Sequence, residues 1–302
     1  MTRHAYHILD VFTDTPYQGN PLAVVHEADD LDTAQCQAIA REFNLSETVF
    51  VLEPRDPVNT ARLRIFTPAR ELPFAGHPTV GSAILIATLR APEMFGRQHL
   101  AVVLEEEIGL VECTVRRVSG KPRASFTLPR IPAAPELVRN PEALAEVLGL
   151  RPEQIGFDEH RPATASAGNP FVFVPLADGY AVGAIIPQLA RWSELLPSPM
   201  PRALFAYTRG GETPDASFHG RMFAPEMGMV EDPATGSAAA AFAAIVTSFD
   251  RPADGDHTLV IEQGFAMGRP SLMTLGLEIE RGSLVSASVG GGAVIVAEGY
   301  LR

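Results

Sequence analysis

Arg64-Ile65-Phe66-Thr67-Pro68, followed after a short gap by His77-Pro78-Thr79-Val80-Gly81-Ser82-Ala83, is the stretch on which the fold turns. It recurs in the second half as Arg221-Met222-Phe223-Ala224-Pro225, then Asp232-Pro233-Ala234-Thr235-Gly236-Ser237-Ala238, with a gap two residues shorter. Each copy reads as an apolar strand, a loop, and a Gly-Ser-Ala turn opening a helix of small apolar residues, Ile84–Ala87 in one and Ala239–Val246 in the other. A helix apolar on all sides is a buried helix. Two halves are therefore expected, each a curved sheet around its own central helix. In this register His77 is equivalent to Asp232, one polar group at the start of each central helix, and such ends can face each other across a cleft.

Outward from the first copy, short apolar runs alternate with turn residues. Tyr6–Phe12, Leu22–His26, Thr48–Leu52, Ala61–Phe66, Leu100–Leu104, Leu110–Val115 and Ala124–Leu128 read as strands. One surface helix interrupts them, capped by Asp32 with Gln35 as its capping-box partner and running to about Phe43. Strands so close in sequence predict hairpins and a mixed or antiparallel sheet rather than a doubly wound parallel one. Prolines then gather, beginning with Pro129, Pro132 and Pro135, as in a linker. It carries one short helix, with Asn140 as cap, Pro141 at the first position and Gly149 past the end. Strands resume at Pro170–Pro175, Ala203–Thr208, Ser217–Phe223, Thr258–Gln263, Ser271–Leu275 and Leu284–Val289, and Ala293–Leu301 is the last. Gly290-Gly291-Gly292 reads as a bend between strands. The expected domains are 1–128 with about 290–302, and 129–289.

Composition narrows the function classes. The 302 residues are 46% hydrophobic and 20% charged, enough for a core in each half. The formal charge of −12 opposes a phosphate backbone or an anionic lipid surface, so neither nucleic acid nor membrane is an expected partner. The longest apolar tracts, 80–89 and 236–247, fall short of the roughly 18–20 residues of a membrane span. Two cysteines, Cys36 and Cys113, make neither a disulfide scaffold nor a structural zinc site. The start, Met1-Thr2-Arg3-His4-Ala5-Tyr6-His7, passes into a strand-like pattern without a leader signature, and a cytoplasmic protein is expected.

Three side chains are candidates for chemistry. The backbone N–H groups of Gly81-Ser82 and Gly236-Ser237, with the helix dipoles, form expected anion sites; the alternative is small residues starting a helix in a crowded core. His77, beside a positive helix end, is expected to be neutral and to donate one hydrogen bond, unless it is a structural histidine. Asp232 is the polar group of the second copy, or an ordinary N-cap. Glu47, where the surface helix gives way to a strand, would be desolvated and suited to move protons if it points inward; a solvated loop glutamate is the other reading. His4-x-x-His7 is a poor metal motif, because a strand puts the pair on opposite faces. Glu105-Glu106-Glu107 reads as a solvated strand end.

Taken together, these blocks resemble the PhzF-like family of phenazine-biosynthesis isomerases, which shares the diaminopimelate epimerase-like fold. The resemblance spans nearly the whole chain. It rests on Asp10-Val11-Phe12 with Gly19-Asn20-Pro21-Leu22-Ala23-Val24, on Leu45-Ser46-Glu47-Thr48 and on Gly76-His77-Pro78-Thr79. It continues in Glu231-Asp232-Pro233-Ala234-Thr235-Gly236-Ser237-Ala238 and in Gln263-Gly264 with Gly268-Arg269-Pro270-Ser271.

The resemblance implies an α+β chain of two similar domains, each a mixed β-barrel wrapped around a central helix, with the active site in a cleft. It implies no cofactor, a small-molecule acid as substrate and a homodimer. Glu47 would be the acid/base that shifts a proton between ring carbons. His77 and Asp232 would assist the transfer, and Gly76, Gly236 and Ser237 would hold the substrate. The related epimerases place two cysteines at the helix starts, where this chain has His77 and Asp232, so a two-thiol racemase is disfavoured. The alternatives are an amino-acid racemase or epimerase, and a non-catalytic small-molecule-binding protein of the same fold.

Overall fold

The computed structural model describes residues 3–302; the expectation for Met1 and Thr2 lies outside them. The chain divides into two compact units, Met1–Thr127 with Gly290–Arg302, and Leu128–Val289.

Unit 1 contains β1 (His4–Val11), β2 (Asn20–Val25), α1 (Thr33–Phe43), β3 (Glu47–Leu52), β4 (Ala61–Phe66), β5 (Glu71–Leu72), α2 (Gly76–Arg90), α3 (Pro92–Phe95), β6 (Leu100–Glu106), β7 (Gly109–Val118) and β8 (Lys121–Thr127). The last strand of the chain, Ser283–Leu301, pairs antiparallel with β1 through Ala293–Leu301 and also pairs with β8. Between them β1–β2 is antiparallel, β2–β3 parallel, β3–β4 antiparallel, β4–β6 parallel, and β6–β7 and β7–β8 antiparallel. Eight strands thus close into a barrel, which removes the exposed edges a sheet of this length would carry. Strand alternation selects the inward face: in β7, Val111, Cys113 and Val115 are buried while their neighbours face out.

The barrel wraps α2, which is buried on every side from Gly76 to Ala87. Gly81 permits this, since a Cβ there would lie 2.7 Å from Leu22 Cδ2 and 2.8 Å from Val11 Cγ2. Helix α1 lies outside. Asp32 and Gln35 form the expected capping box, and Cys36 and Ala40 join Val25, Phe50, Leu52 and Phe66 in a satellite core.

Unit 2 contains β9 (Glu136–Leu137), α4 (Pro141–Leu148), β10 (Ala163–Ser166), β11 (Pro170–Pro175), α5 (Gly179–Gly183), α6 (Trp192–Leu195), β12 (Leu204–Arg209), β13 (Phe218–Ala224), β14 (Met229–Asp232), α7 (Gly236–Phe249), β15 (Gly255–Gln263) and β16 (Ser271–Glu280), with the first part of β17 (Ser283–Leu301), whose remainder from Gly290 belongs to unit 1. Its pairing repeats unit 1: β10–β11 antiparallel, β11–β12 parallel, β12–β13 antiparallel, β13–β15 parallel, β15–β16 antiparallel. The central helix is α7, buried from Ala238 to Val246.

Three expectations are corrected here. The proline-rich stretch is folded rather than a linker: Leu144, Val147 and Leu148 of α4 pack with Val172, Val174, Trp192 and Leu204 in one core cluster. Asn140, Pro141 and Gly149 do bound that helix as read. Gly290-Gly291-Gly292 is no bend, for β17 runs through it unbroken. The glycines answer close approach instead: a Cβ on Gly290 would lie 2.6 Å from the Ala124 carbonyl, and one on Gly292 3.0 Å from the Thr13 carbonyl. Glu105 and Glu106 are buried, not solvated. The Glu105 carboxylate accepts from the N–H groups of Arg55 and Asp56 and from Asn59, closing the β3–β4 turn.

The register of the repeat is the fourth correction. Ile65 pairs with Leu72 and Phe66 with Glu71, while Met222 pairs with Asp232 and Phe223 with Glu231. Arg64 holds Glu71 and Arg221 holds Glu231 through the same pair of guanidinium bonds. Asp232 is therefore equivalent to Leu72, Gly236 to Gly76 and Ser237 to His77. The recurrence of Gly-Ser-Ala misleads because α2 and α7 are both built of small buried residues. The true length difference lies in the loop before β5 and β14.

Candidate active site

Helix α2 starts at Gly76, so His77 lies in its first turn and Gly81-Ser82 lie more than a turn inside. Their N–H groups belong to the helix ladder, so no free N–H groups are presented at Gly81-Ser82; the first turn of α2 is at Gly76-His77. The first-turn N–H groups have no partner within a helix. Pro78 carries no N–H, and the ladder begins with Thr79 N–H donating to the Ala75 carbonyl at 3.2 Å.

Glu47 opens β3, beside Leu22 of its parallel neighbour β2. The sequence left its direction open; in the structure it points inward and is 8% exposed. Its Oε2 lies 3.4 Å from His77 Nε2. On the other side of the ring, Asn20 Nδ2 lies 3.4 Å from His77 Nδ1. Burial drives the His77 pKa down to about 3, against a smaller upward pull from the Pro21 backbone. Proximity to Glu47 suggests an ion pair, yet desolvation outweighs that attraction and the imidazole is neutral at pH 7. A neutral imidazole has one donor and one acceptor nitrogen, so it can serve the carboxylate or the carboxylic acid form of its neighbour.

In unit 2, Asp232 ends β14 and is buried. It is not the N-cap of α7; that position is Thr235. Thr235 Oγ1 donates to Asp232 Oδ2, and Gln263 Nε2 donates to the Asp232 carbonyl at 2.6 Å and to Thr235 Oγ1 at 3.0 Å. Thr235 N–H donates to Gln263 Oε1 at 3.1 Å, completing a buried lattice that sets Asp232 beside the helix start. Gly236 and Ser237 form the first turn of α7, so here the expected N-terminus stands. Asn20 and Gln263 carried no assigned role in the sequence, although both lie in blocks quoted for the family resemblance. Only their spatial neighbours give them one.

His4 and His7 are used separately, His4 near Asp30 and His7 against His26. Cys36 and Cys113 are buried and unbridged, and burial pushes both thiols up, Cys36 to about 11. Neither lies at the start of α2 or α7.

The family model described as phenazine biosynthesis-like protein (PhzC-PhzF) matches residues 9–299. An uncharacterized isomerase of Mesorhizobium japonicum is 49% identical, the match covering 100% of this chain and 99% of the relative. The trans-2,3-dihydro-3-hydroxyanthranilate isomerase of Pseudomonas chlororaphis is 35% identical, with 99% of each chain covered. Among solved structures, the PhzF-family phenazine biosynthesis protein of Bacillus anthracis superposes with a TM-score of 0.89 over 100% of both chains, at 24% identity. No helix among the described residues is long and apolar enough to cross a membrane. A match over nearly the full chain, with this fold and relatives named as isomerases, makes the protein a member of the PhzC-PhzF phenazine biosynthesis-like family.

Proposed function

We propose that the chain is a cofactor-independent isomerase that moves a proton between carbons of a small cyclic or amino-acid-like acid, as in the dihydro-hydroxyanthranilate isomerases it resembles. The observation that carries this reading is the buried Glu47 carboxylate 3.4 Å from a neutral His77 at the start of α2. Glu47 takes a proton from one carbon and becomes the carboxylic acid, while the electron pair spreads into the substrate's conjugated system. It returns the proton to a second carbon of that system, so the double bond shifts and no oxidant is consumed. His77 supplies or accepts a hydrogen bond as the carboxyl changes state. In the proposal Asp232 assists, and Gly76, Gly236 and Ser237 hold the acid's polar groups.

A racemase using two thiols has no support in the positions of Cys36 and Cys113. The test compares wild type with Glu47→Gln on trans-2,3-dihydro-3-hydroxyanthranilate in D2O, following deuteration of ring carbons by NMR. Loss of a general acid/base costs about 10²–10⁴-fold, so the variant should turn over at least a hundredfold more slowly while remaining folded. Full turnover by Glu47→Gln would remove the assignment. Exchange at Cα without a double-bond shift would favour an epimerase, and a ligand recovered undeuterated would favour a binding protein.

A further inference from the structure

Glu106 ends β6 inside the barrel of unit 1 and lies outside the chemistry assigned to Glu47 and His77. Its side chain is buried, and Oε2 has no hydrogen-bond partner among the described residues. Oε1 lies 2.7 Å from Thr79 Oγ1, which in turn lies 2.8 Å from the carbonyl oxygen of Ala75. A threonine hydroxyl has one proton, and a carbonyl can only accept. If Thr79 donates to Ala75, the bond to Glu106 needs its proton from the glutamate.

The repeat supplies an independent reason to read it so. Arg62 pairs with Glu105 and His219 with Glu262, which makes Glu106 equivalent to Gln263. Gln263 is neutral, and its amide donates to a hydroxyl oxygen and a carbonyl in the stretch that starts α7. A carboxylic acid is the form of glutamate that can likewise donate. Burial pushes the Glu106 pKa up to about 8, against a smaller pull from Thr79.

The surrounding charges do not reverse this. From β7 it faces the Cys113 thiol, itself pushed up by burial and by Glu106. On β6, Glu105 is occupied by the β3–β4 turn; on β4, Arg64 is occupied by Glu71 of β5; on α2, His77 is neutral. No cation pairs with Glu106 among the described residues.

We infer that Glu106 is held as a neutral carboxylic acid, a positioning residue that fixes the Ala75 carbonyl through Thr79 and so aims the first turn of α2. This rests on the reading of Gly76 and His77 as part of the active site. Ionisation at alkaline pH releases the start of the helix. The protein is thus sensitive to alkali at a group that touches no substrate.

Infrared difference spectra of the full chain, wild type against Glu106→Gln, test the protonation state without any substrate. Wild type should show, at pH 7, a protonated-carboxyl C=O band that the variant lacks and that fades as pH rises through about 8. Thr79→Val should keep that band but shift it, because the acid loses its partner. In melts, wild type should lose stability relative to Glu106→Gln between about pH 4.5 and 8, by up to about tenfold in folding constant per pH unit. The sign follows from a folded pKa above the unfolded one. Once a substrate is in hand, Glu106→Ala should lower kcat by roughly tenfold or more through misplacement, and Glu106→Gln should restore most of it with the alkaline limb displaced. A wild-type spectrum at pH 7 without the band overturns the inference, as does a band unmoved by Thr79→Val. Both results are independent of turnover, so they stand whether or not the isomerase reading survives.

Discussion

Arg221 grips Glu231 through two guanidinium bonds of 2.8 and 2.9 Å, and in unit 1 Arg64 grips Glu71 in the same way at 2.7 Å. Each arginine also lies over a phenylalanine ring, Phe223 or Phe66, at 5.0 Å. The two pairs tie the short strand before each central helix to the barrel, and they define the register of the repeat.

Their energetic weights should differ. Arg221 and Glu231 are 11% and 14% exposed, against 21% and 31% for Arg64 and Glu71. Arg221 also donates to the carbonyls of Val182 and Ile185, both at 3.2 Å. Arg221→Ala should therefore cost about 3 kcal/mol, as for breaking a buried pair. Arg64→Ala should cost about 1 kcal/mol. Urea denaturation of the two variants decides, and equal costs would contradict the burial argument.

Removing the Gln263 amide should be costly out of proportion to its size. Gln263→Leu leaves the buried Thr235 N–H without its acceptor, at about 1–3 kcal/mol. It also frees Asp232 to move, so activity should fall even under conditions where the variant is fully folded. Chemical denaturation and steady-state kinetics on one preparation separate the two effects.

Gly290→Ala distinguishes close packing from a bend. The added Cβ would meet the Ala124 carbonyl at 2.6 Å, a backbone atom that cannot swing aside. A loss of about 1–3 kcal/mol is expected. A glycine needed only for a bend, at negative φ, would accept alanine without cost.

Neutral, buried His77 has a consequence at acid pH. Its folded pKa of about 3 lies below the ordinary 6.5, so the unfolded chain takes up a proton that the folded chain refuses. The associated stability is complete above about pH 6.5 and is lost progressively as pH falls toward 3. The full effect is up to about tenfold in folding constant per pH unit. Urea midpoints between pH 7 and pH 4 should fall more steeply for wild type than for His77→Gln; parallel slopes would mean that His77 is solvated.

Much of this molecule is determined locally. Asp32 with Gln35 bounds α1, and Asn140, Pro141 and Gly149 bound α4, because caps act over three or four residues of chain. Uninterrupted small apolar runs predict central helices, since only a surrounding sheet can bury every face, and the barrels supply that sheet. The mixed or antiparallel sheet around each central helix and the inward placement of alternating strand residues follow from the same arithmetic of period and polarity.

What required the tertiary structure is everything that depends on distant partners. The sequence alone placed the repeat five residues out of register at α2, because Gly-Ser-Ala recurs by composition, whereas strand pairing and the two arginine–glutamate bonds are set across the sheet. Glu105 and Glu106 look like solvent-facing acids until a turn 46–50 residues earlier and a threonine 27 residues earlier are brought against them. The direction of Glu47, its 3.4 Å approach to His77 and the neutrality of that imidazole arise from burial between strand and helix. Caps and periodicity are encoded within one turn of chain; protonation and the geometry of the candidate site are encoded only where the barrel closes on its helix.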